Sequence, residues 1–352
     1  MVLAIALSGG VDSAVAAVLL NRKYPRMVGA SHVIWPGSRC CSVEVLDRAR
    51  ETCRVLDIPY IQEDLYEEFR DQVVQDFIRG YLGGRTPNPC VVCNKSIRFD
   101  AFYTRLKTTL VNRNLLGREE ALLFSTGHYA RIVESHEGFF IAKGVDPGKD
   151  QSYMLYQVRK SMLASLVLPL GEHRKSEVLS MADDLGLPYT QVRESQDACF
   201  VEGNYVEFIQ KQTGRDDFLR EGEIVDLKGR VLGRHRGTIN YTVGQRRGLG
   251  LGNGPWYVAR IDAEANCLVV ARESDVRRRE FAIDRTNWFV DPPDRPLSCA
   301  VKIRYQIGEI PCSVEPGGGG FRVVLKVPQI VTPGQSAVFY DRDLVLGGGI
   351  IL

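Results

Sequence analysis

The sequence predicts an α/β protein: a parallel sheet in the first half, followed by a small β-rich central domain and a C-terminal β-barrel. Three observations carry that expectation. Strand-like and helix-like runs alternate from Val2 to Leu110, an order that makes a parallel sheet with helices on both faces. Beyond Gly214 apolar residues stop recurring at three and four, and short β-prone runs separated by turns take over. A break at Asp291-Pro292-Pro293 divides those runs into two sets.

Val2 to Leu7 is a continuous apolar run of strand length, and Ser13 to Leu20 after it reads as a helix. Further strands are expected at Met27 to Ile34, Pro59 to Gln62 and Ala121 to Ser125, with helices at Val43 to Leu56, Leu65 to Leu82 and Lys95 to Leu110. Three helical segments follow between Gln151 and Leu185, the last stopped by Gly186-Leu187-Pro188. The central domain is expected to use Gly222 to Leu227, Asn240 to Val243, Trp256 to Ile261 and Cys267 to Ala271 as strands. The barrel is expected from Cys299 to Tyr305, Phe321 to Val327, Ala337 to Tyr340 and Leu344 to Ile351, with Gly317 to Gly320 as an exposed loop.

A chain of 352 residues accommodates two or three domains, and its 44% hydrophobic content fits a globular protein. No apolar run approaches the roughly 18 residues needed to cross a bilayer, so no membrane partner is expected and the expected location is cytoplasmic. The net charge of +2 argues against wholesale coating of nucleic acid. Local basic patches remain, at Arg230, Arg234, Arg236, Arg246 and Arg247 and at Arg277-Arg278-Arg279, and these also read as solvated basic faces. Nine cysteines without a secretion signal imply reduced thiols rather than a disulfide framework. Cys53, Cys267, Cys299 and Cys312 lie in amphipathic or β-like stretches and read as packing residues.

Ala6-Leu7-Ser8-Gly9-Gly10-Val11-Asp12-Ser13 joins the first strand to the first helix through a glycine turn. Glycines let backbone N–H groups approach a phosphate chain, the serines add hydroxyl donors, and the helix start favours negative charge. The loop lacks the Gly-Lys-Ser/Thr ending of a Walker loop. Asp12 supplies a carboxylate of the kind that holds Mg²⁺ against phosphates. Ligands of such sheets bind outside the carboxyl ends of strands, so Gly127-His128-Tyr129, which also follows a strand, belongs to the same site.

Arg85-Thr86-Pro87-Asn88-Pro89-Cys90-Val91-Val92-Cys93-Asn94-Lys95 sets two prolines before Cys90 and a helix start near Lys95, which stiffens the loop and favours thiolate formation. A Cys-x-x-Cys pair reads as a metal site, a redox pair or packing. Cys199, in Glu194-Ser195-Gln196-Asp197-Ala198-Cys199-Phe200, reads on its own as a core cysteine or a reactive one.

The Ser8-Gly-Gly-Val-Asp-Ser13 loop resembles the PP-loop of ATP pyrophosphatases, which cradle pyrophosphate and transfer AMP to a substrate. Over nearly its whole length the chain resembles the tRNA-specific 2-thiouridylase family. The other blocks are Thr86-Pro-Asn-Pro-Cys90-Val-Val-Cys93-Asn-Lys95, Thr126-Gly-His-Tyr-Ala-Arg131, Lys149-Asp-Gln-Ser-Tyr153, Ser195-Gln-Asp-Ala-Cys-Phe200, Tyr241-Thr-Val-Gly-Gln-Arg-Arg-Gly-Leu-Gly250 and Ile303-Arg-Tyr305. The resemblance implies ATP-dependent adenylation of the wobble-uridine C2 carbonyl in tRNA, then sulfur transfer to give 2-thiouridine with release of AMP and pyrophosphate. It implies a PP-loop catalytic domain over residues 1–202, a tRNA-contacting central domain over 203–285 and a barrel over 286–352.

By the same resemblance Cys93 is the nucleophile, Cys199 carries a persulfide from a sulfur-donor protein, and the two can form a disulfide. The ATP-binding residues are Ala6, Leu7, Ser8, Gly9, Gly10, Val11, Asp12, Ser13, His32 and Gly127, with Mg²⁺ on Asp12. The tRNA contacts are Asn88, Pro89, Cys90, Lys149, Asp150, Gln151, Arg304 and Tyr305. Many family members carry Asp where this chain has Cys90. That departure keeps a second version of the chemistry open, in which Cys90, Cys93 and Cys199 ligate a [4Fe–4S] cluster whose open iron carries hydrosulfide. Other classes are an amidotransferase-type PP-loop synthetase, which has no use for three thiols, and a non-catalytic RNA-binding module.

Overall fold

The computed structural model describes residues 1–38, 41–185, 198–317 and 319–352. They form two compact units, one of Met1–Val73, Cys90–Val201 and Asp343–Leu346 and the other of Val74–Pro89, Glu202–Arg342 and Gly347–Leu352.

The strands of the first unit are β1 (Val2–Ala6), β2 (Met27–Val33), β3 (Tyr60–Asp64), β4 (Leu122–Ser125), β5 (Ala130–Ser135), β6 (Gly138–Lys143) and β7 (Leu166–Val167). Five of them make a parallel sheet in the order β3-β2-β1-β4-β7. All five residues of β1 are buried, because a central strand covered on both faces must be apolar throughout. The helix that follows it, α1 (Val11–Asn21), buries Ala14 to Val18 and Leu20. Val178 and Ala182 of the Lys175–Asp184 helix join the same core. α2 (Val43–Val55) contributes Ala49 and Cys53; burial pushes the Cys53 thiol up to about 12, so this cysteine is inert packing.

Several elements depart from the sequence expectation. The helix expected over Lys95 to Leu110 begins earlier, as a ten-residue π-helix over Cys93–Phe102, and continues as an α-helix over Tyr103–Asn112. Leu65 to Leu82 is likewise interrupted by a π-turn at Arg70–Val74. Between Gln151 and Leu185 only Lys175–Asp184 is a full α-helix; Ser152–Leu155 is a single turn, and Lys160–Ser165 and Pro169–Glu172 are 3₁₀ turns. Pro169, lacking an N–H, cannot extend a preceding helix. The stop signal expected at Gly186-Leu187-Pro188 lies outside the described residues.

The second unit contains β8 (Glu221–Val225), β9 (Val231–Arg236), β10 (Tyr257–Asp262) and β11 (Cys267–Ala271), paired in the order β10-β11-β8-β9. Their core is Ile224, Tyr241, Leu249, Val258, Leu268 and Val270. Asn240 to Val243 is no strand: a 3₁₀ turn at Thr238–Asn240 leads into a segment whose Tyr241 and Val243 turn inward. The barrel strands are β12 (Arg278–Trp288), β13 (Leu297–Lys302), β14 (Ile310–Gly317), β15 (Gly320–Gln329), β16 (Ser336–Asp341) and β17 (Leu344–Ile351). They run in the order β12-β15-β14-β13-β16-β17, and β12 pairs with β17 to close the sheet, which abolishes its free edges. Among the described residues no helix is long and apolar enough to cross a membrane.

Candidate nucleotide-binding site and thiol segments

The turn between β1 and α1 owes its shape to Gly9, which has φ +65 and faces α2 so closely that a Cβ would stand 2.3 Å from the Val45 carbonyl oxygen. Arg48 of α2 donates through Nε to the Gly9 carbonyl at 2.9 Å and fixes the turn from that side. Inside the loop the Ser8 amide donates to Ser13 Oγ at 3.1 Å, and Ser13 Oγ donates to the Gly10 carbonyl at 3.0 Å. Gly10 is the N-cap of α1 and offers no side chain to its first amides, so these donors stay open to an anion.

A cavity of about 210 Å³ opens at this turn. It is lined by Ala6, Leu7, Ser8, Asp12 and Ser13 from the loop, by His32 at the end of β2, and by Thr126, Gly127 and His128 after β4. Gly127 belongs there sterically, since a Cβ would stand 2.9 Å from the Ser13 nitrogen. Of the residues expected to bind ATP, Gly9, Gly10 and Val11 shape the turn without lining the cavity. Gln151, expected at the tRNA, lines the cavity and accepts from the Tyr129 amide at 2.9 Å. Its neighbour Asp150 is turned inward, where its carboxylate takes the Gly144 amide (3.1 Å), the Ser152 amide (3.0 Å) and the Ser152 hydroxyl (2.9 Å). Lys149 closes a turn through its amide, which donates to the Asp146 carbonyl at 3.0 Å.

Lys175 and Arg98, which the sequence did not single out, complete the site beside Tyr129 and His128, which it did. Asp12 Oδ1 accepts from Lys175 Nζ at 2.5 Å and from the Tyr129 hydroxyl at 2.6 Å, leaving Oδ2 without a hydrogen bond among the described residues. Arg98 lines the cavity and donates to His128 Nε2 at 3.3 Å, while His128 Nδ1 lies 2.6 Å from Thr126 Oγ1. Burial first, and then the Arg98 charge, hold His128 well below the ordinary histidine range and press His32 down to about 3. Both imidazoles are therefore neutral at physiological pH.

Cys90 is exposed, in the single turn Pro89–Val92, and Cys93 opens the π-helix. The segment before them is anchored within the second unit: the Thr86 amide donates to the Pro333 carbonyl (2.9 Å) and its carbonyl accepts from Gln335 Nε2 (2.8 Å). Cys199 is partly exposed, and Phe200 beside it packs edge-on against Phe69 (5.4 Å) and Trp35 (6.3 Å). Glu194, Ser195, Gln196 and Asp197 lie outside the described residues, as does Cys40. Among the described residues, which include Cys90, Cys93 and Cys199, no three His, Cys, Asp or Glu side chains are grouped to hold a metal ion. In the second unit Arg304 Nη2 donates to Thr332 Oγ1 and to the Val243 carbonyl (3.3 Å), and Lys302 Nζ lies 5.7 Å from the Tyr305 ring.

Residues 1–203 match the family described as "tRNA methyl transferase HUP domain", residues 207–272 the "tRNA methyl transferase PRC-barrel domain", and residues 278–351 the "Aminomethyltransferase beta-barrel domain". Curated relatives match from end to end. The tRNA-specific 2-thiouridylase MnmA of Acetivibrio thermocellus is 39% identical over 99% of this chain and 98% of its own. Those of Roseiflexus sp. and Acidithiobacillus ferrooxidans are each 41% identical over 99% of this chain, covering 98% and 97% of theirs.

Proposed function

This chain belongs to the tRNA-specific 2-thiouridylase family, and from that premise we propose that it replaces the C2 oxygen of the wobble uridine of tRNA with sulfur at the expense of ATP. One observation carries the reading: the cavity at the open start of α1 shares a wall, through Arg98, with the helix that begins at Cys93. A nucleotide and a thiol are thereby served by adjoining elements.

A uracil carbonyl oxygen leaves poorly. Attack of that oxygen on the α-phosphorus forms an O–P bond, breaks the bond to pyrophosphate and converts the oxygen into an AMP leaving group. The open α1 amides, Ser8 and Ser13 receive the pyrophosphate. Asp12 is oriented by Lys175 and Tyr129 and would hold Mg²⁺ through its other oxygen; bound there, the ion neutralises phosphate charge. For sulfur this reading takes the relay, which needs only Cys93 and Cys199 and leaves Cys90 outside the chemistry. Cys199 takes a persulfide from a donor protein. The Cys93 thiolate attacks the Cys199 sulfur, closing a disulfide and releasing hydrosulfide, which adds to C2 and expels AMP. A dithiol reductant then restores both thiols.

The division at 1–202, 203–285 and 286–352 and the tRNA contacts of Asn88, Pro89, Cys90, Lys149, Gln151, Arg304 and Tyr305 belong to this reading. Asp150 belongs to the same set of proposed tRNA contacts, and its three internal donors fix the turn that carries it. A reduced cytoplasm suits both the tRNA and the free thiols. Incubation with tRNA, ATP and a persulfide source should yield 2-thiouridine, AMP and pyrophosphate, and Cys93→Ser or Cys199→Ser should abolish the thiolated nucleoside while tRNA still binds. Formation of ADP and phosphate instead would overturn the activation chemistry. Cys90→Asp should keep most activity; joint loss of iron and 2-thiouridine in anaerobically prepared Cys90→Asp would restore the cluster.

A further inference from the structure

The cavity contains a cation that no carboxylate among the described residues neutralises. Arg98 makes its two hydrogen bonds through Nη1, to Asn94 Oδ1 at 2.8 Å and to His128 Nε2 at 3.3 Å, and both partners are uncharged. No carboxylate among the described residues pairs with it, and its Nε and Nη2 donate to nothing among them. A partly buried guanidinium without a counter-charge is costly unless an anion completes the site. Its remaining fork suits two oxygens of one phosphoryl group.

The group is also held in position. Asn94 is buried and anchors itself by donating from Nδ2 to the Met154 carbonyl at 3.1 Å. His128, neutral and backed by Thr126, accepts from Arg98 on the other side.

The π-helix determines which phosphate this is. In an α-helix, positions 93 and 98 would lie about 140° apart around the axis. Cys93–Phe102 is a π-helix, whose hydrogen bonds step five residues, so the residue five on lies close to one turn above. Cys93 and Arg98 are spaced by that step. Hydrosulfide is released at Cys93 and must reach C2, so a cation about one turn along the same helix suits the phosphoryl group bonded to the uridine oxygen, whereas the open α1 amides suit the departing pyrophosphate.

We propose that Arg98 is the receptor for the α-phosphoryl group, binding its non-bridging oxygens in ATP and in the adenylated uridine. This rests on the ATP-dependent reading above. As the O–P bond forms and the bond to pyrophosphate breaks, charge on those oxygens is met by the guanidinium, which exchanges no proton.

The test uses calorimetric titration of the full-length protein with ATP, AMP and pyrophosphate separately, comparing wild type with Arg98→Gln and Arg98→Lys. AMP affinity should fall at least tenfold in Arg98→Gln, pyrophosphate affinity should stay within twofold, and Arg98→Lys should fall between, since it keeps charge without the fork. AMP should also raise the His128 titration midpoint, read by NMR, in wild type and not in Arg98→Gln, because a bound anion offsets the guanidinium. Equal loss of AMP and pyrophosphate affinity, or unchanged AMP affinity, would overturn the assignment. If Arg98→Gln fails to fold, wild-type AMP affinity in Arg98→Lys, with no His128 shift on AMP binding to wild type, would do so. Wild type that binds none of the three would instead sink the nucleotide reading.

Discussion

Asp12 illustrates how much a single carboxylate owes to distant residues. Its Oδ1 is claimed by Lys175 and Tyr129, so the side chain has one orientation and one oxygen left for a ligand. Asp12→Asn keeps the shape and removes the charge. AMP formation should fall by at least 100-fold, an effect of about 3 kcal/mol in activation free energy, while the melting temperature changes by only a few degrees. His128 gives a second prediction at this scale. It is neutral when folded because burial and Arg98 lower its pKa, so the unfolded chain binds the extra proton below the ordinary histidine pKa. Its contribution to stability is complete above about pH 6.5 and is lost as pH falls, at up to about 1.4 kcal/mol per pH unit. Denaturant unfolding between pH 7 and 5 should show that slope, and His128→Gln should reduce it; an identical slope in the variant would rule out this histidine as its source.

At the scale of elements, the cradle was legible in the sequence because strand, glycine turn and helix are contiguous and each announces itself locally. Of its partners, Tyr129, 117 residues away, was expected at the site because it follows a strand, whereas Lys175, 163 residues away, carried no such signal. The π-helix was equally hidden: its defining feature is a hydrogen-bond step, and the apolar pattern of Ile97, Phe99 and Phe102 suits any helix that buries them. The β5–β6 hairpin escaped because β5 buries only its first residue fully and so lacks a clean alternation. Gly127 tests how tightly the two loops meet. A methyl group there would press on the Ser13 nitrogen at 2.9 Å and the Asp12 carbonyl carbon at 3.0 Å, both backbone atoms of the cradle. Gly127→Ala should therefore cost about 1–3 kcal/mol of stability and weaken ATP binding at least tenfold. Gly252→Ala, with open space around it, should do neither.

For the molecule as a whole, a net charge of +2 means that tRNA binding must come from where the cations are placed. Arg246 and Arg247 are exposed in the glycine-rich segment after Tyr241, whereas Arg304 spends its guanidinium on the Val243 carbonyl and Thr332, pinning the start of that segment. The two kinds of arginine should therefore differ in their salt response. Each phosphate contact releases counterions and adds about 0.9 to the slope of log affinity against log salt for a duplex, about 0.7 for a single strand. Replacing Arg246 and Arg247 together with Gln should weaken tRNA binding and flatten the slope by between one and two. Arg304→Lys retains the charge but loses the Nη2 donor that reaches Val243 and Thr332, so it should weaken binding with little change of slope and lower the melting temperature. Filter-binding titrations from 50 to 300 mM salt separate the two effects. Arg304→Gln, which also removes the charge, completes the test: a slope flattened by about 0.7 to 0.9 keeps Arg304 among the tRNA contacts, and an unchanged slope would leave it as the clamp alone.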